Sequence, residues 1–258
     1  MENIPLPSTI EVQPIEGESH RSQVIVSPCY PGYGTTLGNA LRRVLLSSLP
    51  GAAVTAIKIK GVDHEFSTIE GVKEDVVEII LNVKSLRFRS HSNEPVEIEL
   101  TVSKEGVVTA KDFEKNSDVE VIDGDQVIAT ITDSSAEFHL KAVVEKGRGY
   151  VPVEERETGD LEVGYIAIDS IYTPVRMVNY KSEHVRVGQM TNFDKLVLDI
   201  TTDGTITPEE AFNEAAHVLV EQFQVLAGGK TAAEEILVET TEEALVEEMP
   251  ADEEEKED

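Results

Sequence analysis

The chain has 258 residues, 40% of them apolar, which is enough for a sizeable core in one large or two small domains. Against 22 basic residues stand 50 acidic ones, and a formal charge of -28 opposes tight binding to a phosphate backbone or an anionic membrane, both of which are gripped by Lys and Arg. Cys29 is the only cysteine, so an intrachain disulfide and a cysteine zinc cluster are excluded, and a reducing cytoplasm is the expected location.

The first residues, MENIPLPSTIEV, lack the basic and apolar regions of a signal peptide, and no run of about 18 apolar residues is available to span a bilayer. Ile10–Ile15 and Arg21–Ser27 read as strands joined by a polar GESH turn. Thr36–Leu49 is predicted to be a helix. Leu37, Leu41, Val44, Leu45 and Leu49 cover so much of its circumference that it needs more than one neighbour. Ala52–Gly61 alternates like a strand. Gly71–Lys84 is predicted to be a second helix, with Glu74 and Asp75 in the first turn, where the helix dipole favours anions. Its apolar face is Val76, Ile79, Ile80 and Val83.

Strand patterns then dominate to about residue 180. Val96–Val102 and Val107–Ala110 flank a Lys104-Glu105-Gly106 turn. Val119–Ile122 and Gln126–Thr130 flank Asp123-Gly124, a dipeptide favoured in hairpins. Glu137–Lys146, Val163–Ile168 and Pro174–Tyr180 follow, and Lys195–Thr201 is a last strand closed by Asp203-Gly204. Pro208–Ala227 is predicted to be a helix with Thr207 as cap, Glu210 completing a capping box, Pro208 in the first turn and Gly228 as the stop. Phe212, Ala215, Ala216, Leu219, Phe223 and Leu226 form one stripe along it. From Thr231 onward, 13 acidic residues and one lysine predict a largely disordered tail. Strands clustered away from the helices predict an α+β fold rather than a doubly wound sheet.

Gly32-Tyr33-Gly34-Thr35-Thr36-Leu37-Gly38 follows a strand and opens a helix, as a dinucleotide-binding loop does. Pro28 and Pro31 interrupt the tight turn such a loop needs, and the next strand carries lysines where a ribose-binding acid belongs. The competing reading is a glycine-permitted bend into the helix. Arg42 and Arg43 are either solvated or matched to carboxylates of a protein partner, since the planar guanidinium pairs bidentately with carboxylate. Lys146-Gly147-Arg148-Gly149-Tyr150-Val151-Pro152 reads as a binding loop on a β module or as a plain surface turn. The six histidines are scattered, with no HExxH. Asp63-His64-Glu65, read as strand residues, alternate faces and cannot converge on a substrate. No catalytic constellation, metal site or cofactor site is expected.

Four stretches together carry a resemblance. They are GYGTTLGNALRRVLLSSLPG, EGVKEDVVEIILNVK, KGRGYVPVEER and VNYKSEHVRVGQMTNFDKLVLDITTDGTITPEEAFNEAAHVLVEQF. In this order, over roughly residues 8–228, the chain resembles the N-terminal domain of bacterial RNA polymerase α subunits. The resemblance implies a discontinuous dimerisation subdomain, residues 1–50 with 173–230, made of a sheet and two interface helices. Residues 51–172 would be an inserted β-rich subdomain and 231–258 the acidic tail. It also implies a homodimer formed through Leu37, Leu41, Leu45, Phe212, Leu219 and Phe223. The β subunit would be met by Asn39, Arg42, Arg43, Tyr180, Glu183 and Arg186, and the large subunits by Lys84 and Ile168 of the insert.

The implied activity is that of a non-catalytic subunit of a nucleotidyltransferase. It would assemble β and β′ directly, and omega and sigma only indirectly, with chemistry and Mg²⁺ left to other subunits. Members of the family usually continue into a helical domain that binds upstream DNA. Here Asp258 ends an acidic tail, so no direct promoter binding is expected.

Overall fold

A computed structural model describes residues 4–156 and 162–228. Alternation builds its first layer. In β2 (Glu18–Cys29), Ser22, Val24, Val26 and Cys29 face inward, every second or third residue. β1 (Thr9–Ile15) pairs with one edge of β2, and β14 (Met190–Thr202) pairs with the other, setting Leu198 opposite Val24 and Leu196 opposite Val26. β13 (Val175–Val187) completes an antiparallel sheet of order β1-β2-β14-β13. Helix α1 (Tyr33–Ser47) lies on β13 and β14 and buries Leu41 and Leu45 there.

The second layer begins with β3 (Pro50–Ile59), in which Ala52 through Ile57 are all buried. A strand covered on both faces reads as a continuous apolar run rather than an alternating one. Around it are arranged α2 (Val76–Ser85), β4 (Phe88–Ser90), β5 (Val96–Val102), β6 (Gly106–Thr109), β7 (Val119–Val121), β8 (Val127–Ile131), β9 (Phe138–Arg148), β10 (Tyr150–Val151), β11 (Ile166–Ala167) and β12 (Ser170–Ile171). The main sheet runs β5-β9-β3-β4-β7, with β11 also on β3, while β6 pairs with β8 and β10 with β12. Ile57, Ile79, Val83, Phe88, Leu100, Phe138 and Leu140 are among the residues of its core.

This α+β arrangement agrees with the expectation from the sequence, but several local readings do not survive. The Asp123-Gly124 turn closes no hairpin. β7 pairs with β4, and β8 pairs with β6. Nor do the strands beside Lys104-Glu105-Gly106 pair with each other, since β5 joins β9. A turn dipeptide favours a reversal of the chain but does not choose the partner. Val163–Ile168 contracts to the two residues of β11.

The helix expected from Gly71 starts at Val76. Asp75 is its cap, in an extended conformation and accepting from the Glu78 amide at 2.7 Å. Glu74 instead accepts from the Thr130 amide (2.6 Å) and hydroxyl (2.9 Å), tying the segment before the helix to β8. Helix α3 (Pro208–Leu226) has the expected capping box. Glu210 accepts from the Thr207 amide at 2.8 Å, and Thr207 Oγ1 accepts from the Glu210 amide at 3.2 Å. Pro208, Ala211, Phe212 and Ala215 are buried, and the described residues 216–228 belong to a second unit, in which Val220, Phe223, Val225 and Leu226 are exposed. The expected acidic tail lies outside the described residues.

Candidate subunit interface

The glycines before α1 do local work that has nothing to do with nucleotides. Gly32 adopts φ 86° and bends the chain into the helix. Asp194 on β14, 4% exposed, accepts from the Gly32 amide at 2.9 Å and the Gly34 amide at 3.2 Å. A protein carboxylate therefore occupies the anion site that a helix N-terminus offers. The glycine-bend reading holds, and the amides a phosphate would need are taken. One turn further, a Cβ on Gly34 would sit 2.4 Å from Ser182 Oγ, and one on Gly38 2.5 Å from the Tyr180 ring and 2.9 Å from Leu196 Cδ1. Residues four apart share one helix face. At these two positions the face is bare, so that the backbone of the first half of α1 lies directly on β13 and β14, while Leu41 and Leu45 fill the contact further along.

That choice decides what the rest of α1 shows. Asn39, Arg42 and Arg43 are exposed on it. Arg42 is anchored, with Nε donating to the Val178 carbonyl at 3.0 Å. Arg43 is exposed, and among the described residues its guanidinium pairs with no carboxylate. Along β13, Tyr180 is half-buried against Gly38. Glu183 is exposed beside Lys181 at 2.7 Å, and that ammonium holds the Glu183 carboxyl below the usual carboxylate range. Arg186 turns back, its Nε donating to the Gly188 carbonyl at 2.8 Å. The fold thus brings Asn39, Arg42, Arg43 and Tyr180 onto neighbouring elements, and leaves Glu183 and Arg186 on the exposed end of the β13–β14 hairpin.

The six residues assigned to dimerisation divide sharply. Leu41, Leu45 and Phe212 are buried within one chain, Leu37 and Leu219 are half-buried, and Phe223 is 61% exposed.

On the insert, Lys84 Nζ donates to Asp169 Oδ2 at 2.8 Å, the Tyr150 hydroxyl to the same oxygen at 2.9 Å, and the Val153 amide to Oδ1 at 3.1 Å. The Lys84 ammonium first, then the amide, lowers the Asp169 carboxyl to about 2. Ile168, by contrast, is 3% exposed and part of the insert core, with no surface to offer a partner. A groove of about 530 Å³ runs past Lys84 and Asp169, with Phe66, Val77 and Leu81 among its apolar lining. Asp63, His64 and Glu65 also line it. They lie in an irregular connection, not in a strand, so the alternation expected to separate them does not apply.

The KGRG segment is not a loop. Lys146–Arg148 end β9 and pair with Pro50–Ala52. Gly147 is required because the Tyr172 ring lies on it, 2.6 Å from where a Cβ would stand. Asp194 and Asp169 are the positions that sequence reasoning missed. Each acts on a segment far from it in the chain, so no local pattern marks it. Among the described residues, no group of three or more His, Cys, Asp or Glu is placed to hold a metal, and no helix is long and apolar enough to cross a membrane.

Residues 57–173 match the family described as the RNA polymerase Rpb3/RpoA insert domain. The DNA-directed RNA polymerase subunit alpha of Alkaliphilus oremlandii is 50% identical over 216 residues, 84% of this chain and 68% of that protein. Its counterpart in Oceanobacillus iheyensis is 48% identical over 236 residues, 91% of this chain and 75% of that protein. Its counterpart in Roseiflexus sp. is 54% identical over 202 residues, 78% and 62%.

Proposed function

The chain belongs to the family of bacterial DNA-directed RNA polymerase α subunits, components of the nucleotidyltransferase of transcription, and on that premise we propose that it is the homodimeric scaffold on which β and β′ assemble in the cytoplasm. The dimerising part combines residues 1–50 with 173–230, and residues 51–172 are the insert, a division that the family match over 57–173 supports.

One observation carries this reading. Two helices leave unlike surfaces open: α3 exposes Val220, Phe223, Val225 and Leu226, while α1 exposes the Arg42–Arg43 pair. Val220, Phe223 and Leu226 share one side of α3, and an exposed apolar surface of this kind calls for a cover; a second copy of α3 has the matching chemistry. Leu37 on α1 and Leu219 on α3 are half-buried and would each share in the dimer contact, and Leu41, Leu45 and Phe212 hold their own helices in place from within the chain. Arg43, with Asn39 and the anchored Arg42 beside it, meets carboxylates of β. The hairpin residues Glu183 and Arg186 extend that surface, and the Lys84–Asp169 site of the insert meets a large subunit. Catalysis and its metal belong to the other subunits, and a chain of charge -28 leaves promoter DNA to them as well. Omega and sigma join through β and β′.

The test is co-expression of the tagged chain with β and β′ of the same organism. The expected product has two copies of this chain per β and per β′. A dimer that captures neither large subunit would overturn the scaffold and leave an adaptor of another kind.

A further inference from the structure

Arg87 and Arg89 take no part in the surfaces proposed above, yet both reach across to the end of β14. They flank Phe88, whose ring is buried in the insert core. Strand alternation sends the two arginines to the opposite side. Arg89 donates to the Thr205 carbonyl from Nε at 3.0 Å and also from Nη2. Arg87 Nε stands 3.5 Å from Asp203 Oδ2, in a pair whose side chains are 15% and 3% exposed. That Nε is buried and finds no hydrogen-bond partner.

The turn they reach is itself stapled. Asp203 Oδ1 accepts from the Thr205 amide at 2.9 Å and its hydroxyl at 2.6 Å. Two residues later Thr207 opens α3. Arg87 Nη1 also donates to the Ile171 carbonyl of the insert, at 3.5 Å. With both contacts this long, the desolvation of a buried guanidinium offsets most of what they return, so the pair is a poor source of stability. Burial indeed pushes the Arg87 guanidinium down, and Asp203 only opposes the effect. What such a pair supplies is a defined geometry.

We infer that Arg87 and Arg89 form a clamp that fixes the Asp203–Thr205 turn, and with it the start of α3, against the insert. Resting on the reading of α3 as the dimer helix, the clamp makes the insert a positioning element for dimerisation as well as a contact of its own. A large subunit bound at Lys84 would then act on α3 through three residues of chain, Ser85 to Arg87, and one turn.

The test is amide hydrogen exchange on the full chain, comparing the wild type with Arg87→Met/Arg89→Gln. Amides of residues 203–212 are expected to exchange about tenfold faster or more, while those of β13 and the middle of β14 keep their protection. Arg89→Lys, which retains one donor to the Thr205 carbonyl, is expected to restore part of the loss. Unchanged protection at 203–212 would overturn the clamp. So would a uniform rise over the whole chain, which would mark the arginines as general stabilisers. Should the double variant fail to fold, Arg89→Gln alone gives the same readout. Dimerisation and β capture of the wild type are measured separately, so the scaffold and the clamp fail independently.

Discussion

A helix packs in each of the two layers, α1 on the four-stranded sheet and α2 on the insert, but by opposite means. On the insert, α2 presses Val76, Ile79 and Val83 into a core of large side chains, and its seat is made of buried volume. On the four-stranded sheet, the first half of α1 offers Gly34 and Gly38, a seat of missing volume, and only its second half adds the buried side chains of Leu41 and Leu45. A helix held by side chains must spend its apolar face on the fold. A helix held by its backbone can sit deep on a sheet and keep Asn39 and Arg43 at the surface. The contrast explains why α1 has room for a group of proposed β contacts, Asn39, Arg42 and Arg43, where α2 contributes Lys84 alone.

The contrast breaks if the two seats fail in the same way. Ile79→Ala removes buried volume that nothing can refill, and urea denaturation is expected to show a loss of about 3 kcal/mol. Gly38→Val adds volume where a single Cβ already meets the Tyr180 ring, and a loss of about 2 kcal/mol is expected in the same measurement. In an open helix, replacing Gly by a residue with a side chain gains stability, by about 1 kcal/mol for Ala. A neutral or stabilised Gly38→Val would therefore refute the backbone seat.

A smaller effect sharpens the picture of the insert surface. Asp169 stays ionised to about 2 in the folded chain, while an unfolded Asp titrates near 3.9. Its contribution is complete above about pH 4 and is lost as the pH falls towards 2. With the side chain 32% exposed, solvent screening reduces that contribution to about 1 kcal/mol. Asp169→Asn is expected to flatten this part of the acid limb in denaturation midpoints taken between pH 5 and pH 3. An unchanged limb would show that the Lys84 pair is fully solvated.

Much of the fold was legible because its signals are local. Thr207 and Glu210 lie three residues apart, and the cap they predict forms as expected. The apolar faces of α1 and α2 follow from spacing alone. What stayed illegible depends on partners distant in the chain. The pairing of β8 with β6 rather than β7, and of β5 with β9, is set by which strands bury each other. Asp194 reaches glycines 160 and 162 residues away, so a loop that imitates a phosphate cradle could not be seen as already filled. At the candidate interface, the arginines were visible as a pair. Which of them is tied down was not, because the Val178 carbonyl that holds Arg42 is a backbone atom without a sequence signature.

In the proposed scaffold, dimerisation and β capture use separate surfaces of one chain. Arg43→Ala tests it most directly, with sedimentation of the free chain and capture of β measured on the same preparation. An unchanged dimer is expected, with β capture weakened by about 2 kcal/mol or more, some thirtyfold, as a charge pair loses one partner. Normal capture of β by the variant would contradict the arginine contact, and loss of the dimer would contradict the separation of the two surfaces.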